Sequence, residues 1–193
     1  MSLRLFVALE PPGPVRRQLK LLAAELRERG GRAAREVRWV LPEQIHLTLQ
    51  FLGNAPAERL DDVRRAVAGA AAAAAPLALS VRGAGGFPNA RRPRVLWAGV
   101  EGEVEALAAL ARDLGARLAP LGFPPEERPF SPHLTLGRAR DGAAGLAGAL
   151  AAVQDRALGA WRAEELTLFE SELSPGGARH EPLLRAPLLA ARP

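Results

Sequence analysis

Two copies of one short motif contain the side chains in this sequence that are best suited to acid–base chemistry. His-Leu-Thr-Leu occurs at residues 46–49 and again at residues 133–136, once in each half of the chain. The chain has only three histidines, so a repeated motif that includes two of them is hard to obtain by chance. With an unperturbed pKa of about 6.5, one imidazole can be protonated while another is neutral. We therefore predict that His46 and His133 form an acid–base pair.

Regular alternation along a β-strand predicts that Thr48 and Gln50 share a face with His46. By the same rule, Thr135 shares a face with His133. The opposite face of the first motif is then predicted to be core, and it carries Ile45, Leu47, Leu49 and Phe51. A threonine hydroxyl can donate a hydrogen bond to a phosphate oxygen on which charge develops during attack. If the two faces meet across one cleft, they suit phosphodiester cleavage without a metal or a covalent intermediate.

A metal site is the main alternative for these histidines, since His180 would complete a set of three ligands. Taken singly, each histidine is also explained as an ordinary strand residue. Neither motif has the His-x-His or His-x-x-x-His spacing that brings two ligands together on one element. His180 follows the Gly-Gly pair at residues 176–177, in a segment typical of an exposed loop. We therefore favour acid–base chemistry with no metal and no other cofactor, and a solvated His180.

Hydrophobic periodicity predicts the elements that position the motifs. Strands are predicted at residues 3–9, 37–40, 45–52, 77–81, 94–100, 133–136, 166–173 and 183–189. Helices are predicted at residues 15–26, 56–74, 104–118 and 143–153, and a Gly- and Pro-rich loop at residues 83–93. Each half of the chain follows the order helix, strand, helix, strand, strand. The repeated order suggests that the two halves pack as a pseudo-twofold pair.

The composition limits the class of protein. The chain has 193 residues and no cysteine or tyrosine, which excludes disulfides, thiolate metal sites and nucleophilic catalysis by either residue type. Its net charge is +5, and every basic residue except Lys20 is an arginine, which attracts polyanions. A GC-rich coding bias would produce the same excess of arginine. The apolar run at residues 3–9 is too short for a signal peptide or a membrane span. We expect one domain over residues 1–193. We expect the protein to be monomeric and cytoplasmic and not to bind membranes.

Four segments of the chain resemble one known family. They are Arg-Leu-Phe-Val-Ala-Leu at residues 4–9, the first motif with its trailing Phe-Leu-Gly at 46–53, Arg-Val-Leu-Trp-Ala-Gly-Val at 94–100, and the second motif with its flanks at 130–138. With these segments, nearly the whole chain resembles the 2H phosphoesterase superfamily, which is named for its two His-x-Thr/Ser-x motifs. Within the superfamily it is most similar to the bacterial RNA 2',3'-cyclic phosphodiesterases, also called 2'-5' RNA ligases.

The resemblance implies a fold and a reaction. The fold would be α+β and bilobed with pseudo-twofold symmetry, with two antiparallel sheets flanking a central cleft and helices on the outside. His46 would be the general acid that protonates the leaving 3' oxygen, and His133 the general base that activates water, so that a 2'-phosphate is formed. Thr48 and Thr135 would hold phosphate oxygens.

Arg138 matches an arginine that contacts the phosphate in this family. Regular alternation places Arg138 on the face opposite His133, so it would reach the cleft only if the strand ends or bulges near Gly137. A surface arginine is the alternative interpretation.

The expected partner is an RNA or oligonucleotide with a 2',3'-cyclic phosphate end, and ligation to a 5'-hydroxyl end would be a side activity. Two alternatives remain open at this point: an RNA-binding module without catalysis, and a phosphodiesterase acting on a small cyclic nucleotide or a 2'-5' oligoadenylate. Two further groups of residues suit RNA, although core packing is the default explanation for the aromatic residues and a solvated loop explains the arginines at least as well. Aromatic residues could stack on a base, and loop arginines could steer the backbone: Trp39, Phe87, Phe130, Arg91, Arg92 and Arg94.

Overall fold

Two antiparallel sheets organise the protein, whose computed structural model describes residues 2–126, 129–174 and 177–191. The first sheet contains β1 (Ser2–Leu9), β3 (Leu47–Pro56), β8 (Glu165–Ser174) and β9 (Gly177–Pro187). The second contains β2 (Arg38–Trp39), β4 (Leu77–Phe87), β5 (Val95–Gly102), β6 (His133–Arg138) and β7 (Ala157–Ala163). The strand orders are β3-β1-β8-β9 and β2-β6-β5-β4-β7. The first sheet therefore combines strands from both ends of the chain, whereas every strand of the second lies between residues 38 and 163.

In the described residues, four α-helices pack on these sheets: α1 (Gly13–Ala34), α2 (Leu60–Ala72), α3 (Val104–Leu118) and α4 (Ala147–Ala151). α1 contacts β7 and α4, whereas α2 contacts β8, β9 and α3. The predicted α+β class with two antiparallel sheets is confirmed. None of the described helices has the length and apolar character that crossing a membrane requires.

The side chains of β1 alternate between two faces of the first sheet, and each face belongs to a different hydrophobic cluster. Leu5, Val7 and Leu9 alternate along the strand and belong to the main hydrophobic core, which also includes the apolar stripe of α1. The intervening Phe6 and Ala8 are equally buried but belong to a separate small cluster with Phe169 of β8. The first sheet is thus apolar on both faces around Phe6.

Several elements differ in extent from the sequence-based expectations, and α1, for example, continues beyond residue 26 to Ala34. β4 continues through the predicted loop as far as Phe87, with Gly83 forming a bulge at a φ of 64°. β7 has no counterpart among the predicted strands, because it is an edge strand of mostly small or exposed residues. The helix predicted at residues 143–153 is reduced to α4, since Gly145 just before it has a φ of 98°. The last strand begins at Gly177 rather than at residue 183.

Candidate active site

The two motifs lie on strands that contact each other where the two sheets meet. His46 directly precedes β3, the edge strand of the first sheet, and His133 is the first residue of β6. β3 and β6 are in contact, although they belong to different sheets. The fold therefore brings together two segments that are far apart in the sequence.

Both histidine rings are held by the same local hydrogen bond. Nδ1 of His46 lies 2.8 Å from the carbonyl oxygen of Gln44, and Nδ1 of His133 lies 2.8 Å from that of Ser131. A carbonyl oxygen only accepts hydrogen bonds, so Nδ1 of each ring carries a proton and donates it. In the neutral ring, Nε2 is then the basic nitrogen. Each ring is thus oriented with Nε2 available to exchange a proton with a bound molecule.

The surroundings of the two rings differ. His46 stacks on Phe6, with ring centroids 4.6 Å apart and an angle of 29° between the planes. His133 meets the edge of Phe87, with centroids 5.1 Å apart. The same hydrogen bond therefore holds one imidazole within an aromatic cluster and the other at a more open position.

Burial lowers the pKa of His46 from 6.5 to about 4. The hydrogen bond to the Gln44 carbonyl opposes this shift, while the positive charges of His180, Arg138 and Arg16 add to it. In the free protein at neutral pH, His46 is consequently a neutral imidazole. Because the charge of Arg138 lowers the pKa of His46, Arg138 of the second motif lies within electrostatic range of His46 in the first.

A bulge in β3 changes which side chains accompany His46. Ala8 of β1 pairs with Thr48 but Val7 pairs with Gln50, so Leu49 is an extra residue and the alternation reverses after it. Gln50 is only 3% exposed, and its amide donates to the carbonyl oxygens of Phe123 and Pro124 at 3.1 and 3.3 Å.

The predicted face for Gln50 is therefore wrong, and so is the predicted burial of Phe51. Phe51 is 47% exposed and lies opposite Phe6, with ring centroids 6.0 Å apart. Phe51 thus joins the face that carries His46. Sequence reasoning missed it because a bulge is specified by pairing with β1, which the motif itself does not reveal.

An equivalent bulge in β6 determines the position of Arg138. Thr135 pairs with Trp97 of β5 but Gly137 pairs with Leu96, so Leu136 is the extra residue. Leu96 is fully buried, which puts Gly137 on the core face and Arg138 on the face of Thr135. The structure thus contains the bulge that the sequence required for Arg138 to reach the cleft.

Both threonines occupy half-buried positions on the faces of their histidines. Thr48 pairs with Ala8 and Thr135 pairs with Trp97. Within the part of the chain that the structure describes, neither hydroxyl has a protein partner at hydrogen-bonding distance. Both hydroxyls are therefore available to a bound ligand.

The prediction of a solvated His180 in a loop is wrong. His180 lies on β9, half-buried, and its ring meets those of His46 and Phe6 edge-on, with centroids 5.2 and 4.9 Å away. Burial lowers the pKa of His180, and its Nδ1 is buried without a hydrogen-bond partner. Among the described residues, no three His, Cys, Asp or Glu side chains are grouped as a metal site would require. The Gly-Gly pair before His180 suggested a loop and masked its strand position.

The remaining aromatic candidates lie at different distances from the motifs. Phe87 contacts His133 directly. Phe130 and Trp97 line a groove of about 670 Å³ that includes Ser131, whose carbonyl holds His133. Trp39 lies on the other side of β6, where it packs near Gly137.

Comparison with known proteins relates most of the chain to one family. The family described as LigT-like phosphoesterase matches residues 9–97 and 99–180. An RNA 2',3'-cyclic phosphodiesterase of Methanothermobacter thermautotrophicus is 36% identical over 182 residues, which is 92% of this chain and 94% of that protein.

Solved structures agree with this relationship. A crystal structure of a Thermus thermophilus protein has a TM-score of 0.81 and 34% identity, covering 98% of this chain and 100% of the other. Escherichia coli LigT, crystallised with 3'-AMP, has a TM-score of 0.77 and 29% identity, covering 98% of this chain and 100% of the other.

Proposed function

Because this chain belongs to the LigT-like phosphoesterase family of the 2H superfamily, we propose that it hydrolyses 2',3'-cyclic phosphate ends of RNA. The observation that carries this proposal is the pair of His-x-Thr motifs on contacting strands, each with Nδ1 held by a carbonyl and Nε2 free. The name of the Methanothermobacter relative and the bound 3'-AMP of the E. coli protein support a nucleotide substrate.

In the proposed reaction, Nε2 of His133 takes a proton from water as the water oxygen bonds to phosphorus. The bond between phosphorus and the 3' oxygen breaks, and protonated His46 gives its Nε2 proton to that oxygen. The product is a 2'-phosphate. Thr48, Thr135 and Arg138 donate hydrogen bonds to the non-bridging oxygens, which gain charge during attack.

The acid role of His46 depends on the bound phosphate. With a pKa of about 4, only about one molecule in a thousand would carry this proton at pH 7 in the free protein. The cyclic phosphodiester is an anion, and an anion beside the ring raises the pKa of His46 and offsets the nearby positive charges. If the pKa of His46 stays low in the complex, the two histidines exchange roles and the product is a 3'-phosphate.

Two further activities follow from the same site. A 5'-hydroxyl end of RNA in place of water would give a 2'-5' ligation, with the same histidines moving the protons. A small cyclic nucleotide or a 2'-5' oligoadenylate would present the same phosphodiester without the rest of the RNA. A module that binds RNA without catalysis would need neither histidine.

The test uses an oligoribonucleotide of about 20 residues ending in a 2',3'-cyclic phosphate, in excess chelator, with identification of the terminal phosphomonoester. We expect a 2'-phosphate, and a loss of at least about 100-fold in His46→Gln and His133→Gln. His180→Gln is the matched control, since it removes the third histidine and should cost less than about tenfold. Full activity in either motif variant would refute the acid–base assignment. RNA binding without turnover in the wild type would favour the binding module.

A further inference from the structure

A group of exposed arginines, here called the arginine rim, surrounds the end of β6 next to the candidate active site. It comprises Arg27, Arg32, Arg35, Arg38, Arg94 and Arg138. Arg38 of β2 and Val95 of β5 both pair with Arg138, one on each side, and the amide of Ala139 donates to the carbonyl of Arg94 at 2.8 Å. The rim therefore runs from the face of the motifs over the edge strand β2 to the end of α1.

The arginines of the rim differ in their ion pairing from those at the start of α2. In residues 2–126, 129–174 and 177–191, none of the six forms an ion pair. At the start of α2, by contrast, Arg59, Arg64 and Arg65 pair with Asp61 or Asp62. Arginines outside the rim, such as Arg17 and Arg112, also form no ion pair among the described residues, so the rim is distinguished by the grouping of six unpaired arginines beside one strand end.

The far end of the rim forms a groove with an aromatic wall. Arg27, Arg32 and Arg35 line a groove of about 480 Å³ together with half-buried Trp39. The guanidinium of Arg27 lies over the Trp39 ring, 5.0 Å from its centroid. Guanidinium groups bind phosphates through paired hydrogen bonds, and arginines beside an aromatic ring are typical of surfaces that bind single-stranded nucleic acid.

We propose that the arginine rim binds the backbone of a single-stranded RNA whose cyclic phosphate end occupies the candidate active site. Since the cyclic phosphate is at the 3' end, the rim holds nucleotides on its 5' side. The inference rests on the proposed function and makes it more specific, because the substrate becomes an oligoribonucleotide rather than a cyclic mononucleotide.

The test compares two triple variants with the same change in net charge. The groove variant is Arg27→Gln/Arg32→Gln/Arg35→Gln, and the control variant is Arg59→Gln/Arg64→Gln/Arg65→Gln. For each, kcat/KM is measured against salt concentration with an RNA of about 20 nucleotides and with a 2',3'-cyclic mononucleotide. Binding of the same RNA ending in a 3'-phosphate is followed in parallel by fluorescence anisotropy.

We expect the groove variant to lose at least about tenfold in kcat/KM on the long RNA at low salt. Three lost phosphate contacts at about 0.7 each should also reduce the slope of log kcat/KM against log salt by about 2. Activity on the cyclic mononucleotide and all activities of the control variant should change less than about twofold.

Equal losses on both substrates, or equal losses in both variants, would overturn the role of the rim and leave the proposed reaction intact. If the wild type turns over neither substrate, the proposed function fails. The anisotropy measurement then still tests the rim, because selective loss of RNA binding in the groove variant supports it and unchanged binding refutes it.

Discussion

Burial of His46 makes the stability of this protein depend on pH, and replacing His46 with Gln should remove most of that dependence below neutrality. His46 takes up a proton near pH 6.5 in the unfolded chain but only near pH 4 in the folded protein. Between these values the unfolded state binds more protons than the folded state. The free energy of unfolding therefore falls as the pH drops through this window.

The size of the stability loss follows from the difference between the pKa values of His46 in the folded and unfolded states. Each pKa unit corresponds to about 1.4 kcal/mol, so the loss from His46 reaches about 2 kcal/mol at pH 5 and approaches about 3 kcal/mol at pH 4. That is a large part of the roughly 10 kcal/mol that stabilises a typical domain. His180, Arg138 and Arg16 are the charged or titratable groups that act on His46, and all three remain in the variant.

The assay is urea unfolding followed by the fluorescence of the three tryptophans, at about pH 7.5 and about pH 5. The wild type should lose about 2 kcal/mol more than His46→Gln between the two conditions. Thr48→Val is the control, since it alters the same strand without removing a titratable group and should keep the wild-type pH dependence. Equal pH dependence in the wild type and His46→Gln would show that the ring is not held neutral by burial.

Three further substitutions test the placement of individual side chains. Gln50→Leu should destabilise the protein by about 1–3 kcal/mol in urea unfolding with kcat nearly unchanged, because it leaves two carbonyls without their donor; a large loss of kcat would contradict its core position. Arg138→Gln should lower kcat/KM by about 10–100-fold and raise the pKa of His46, measured by NMR titration, because a positive charge is removed. His180→Gln should also raise the pKa of His46, and an unchanged titration would contradict an electrostatic effect of His180 on His46.

Features that depend on local sequence were predictable. The strands that carry the motifs and the helix at residues 104–118 follow from the spacing of apolar residues, which reports local burial, although the first strand begins at Leu47, directly after His46. We could expect the two motifs to lie on contacting strands only because the motif occurs in both halves of the chain. Repetition thus supplied the long-range information that periodicity lacks.

Features that depend on pairing between distant strands were not predictable in this way. Each motif ends in a bulge at its last leucine, and the position of the bulge is set by the neighbouring strand. The bulge in β3 decides that Gln50 is buried and Phe51 exposed. His180 on β9 lies near His46 because β8 pairs with β9 on one side and with β1 on the other, and β1 comes from the opposite end of the chain. Neither the residue type nor its neighbours in the sequence indicate that proximity.

The two motifs share the same local contacts, so the different roles proposed for their histidines must come from the surroundings. Both rings have the same kind of Nδ1 hydrogen bond, and both strands bulge at the last leucine of the motif. After the bulge, however, the first motif presents Phe51 and the second presents Arg138. An aromatic cluster disfavours a charged His46 until an anion binds, whereas Arg138 attracts that anion. The repeat therefore provides two proton-exchanging groups, and the unequal residues around them determine when each carries its proton.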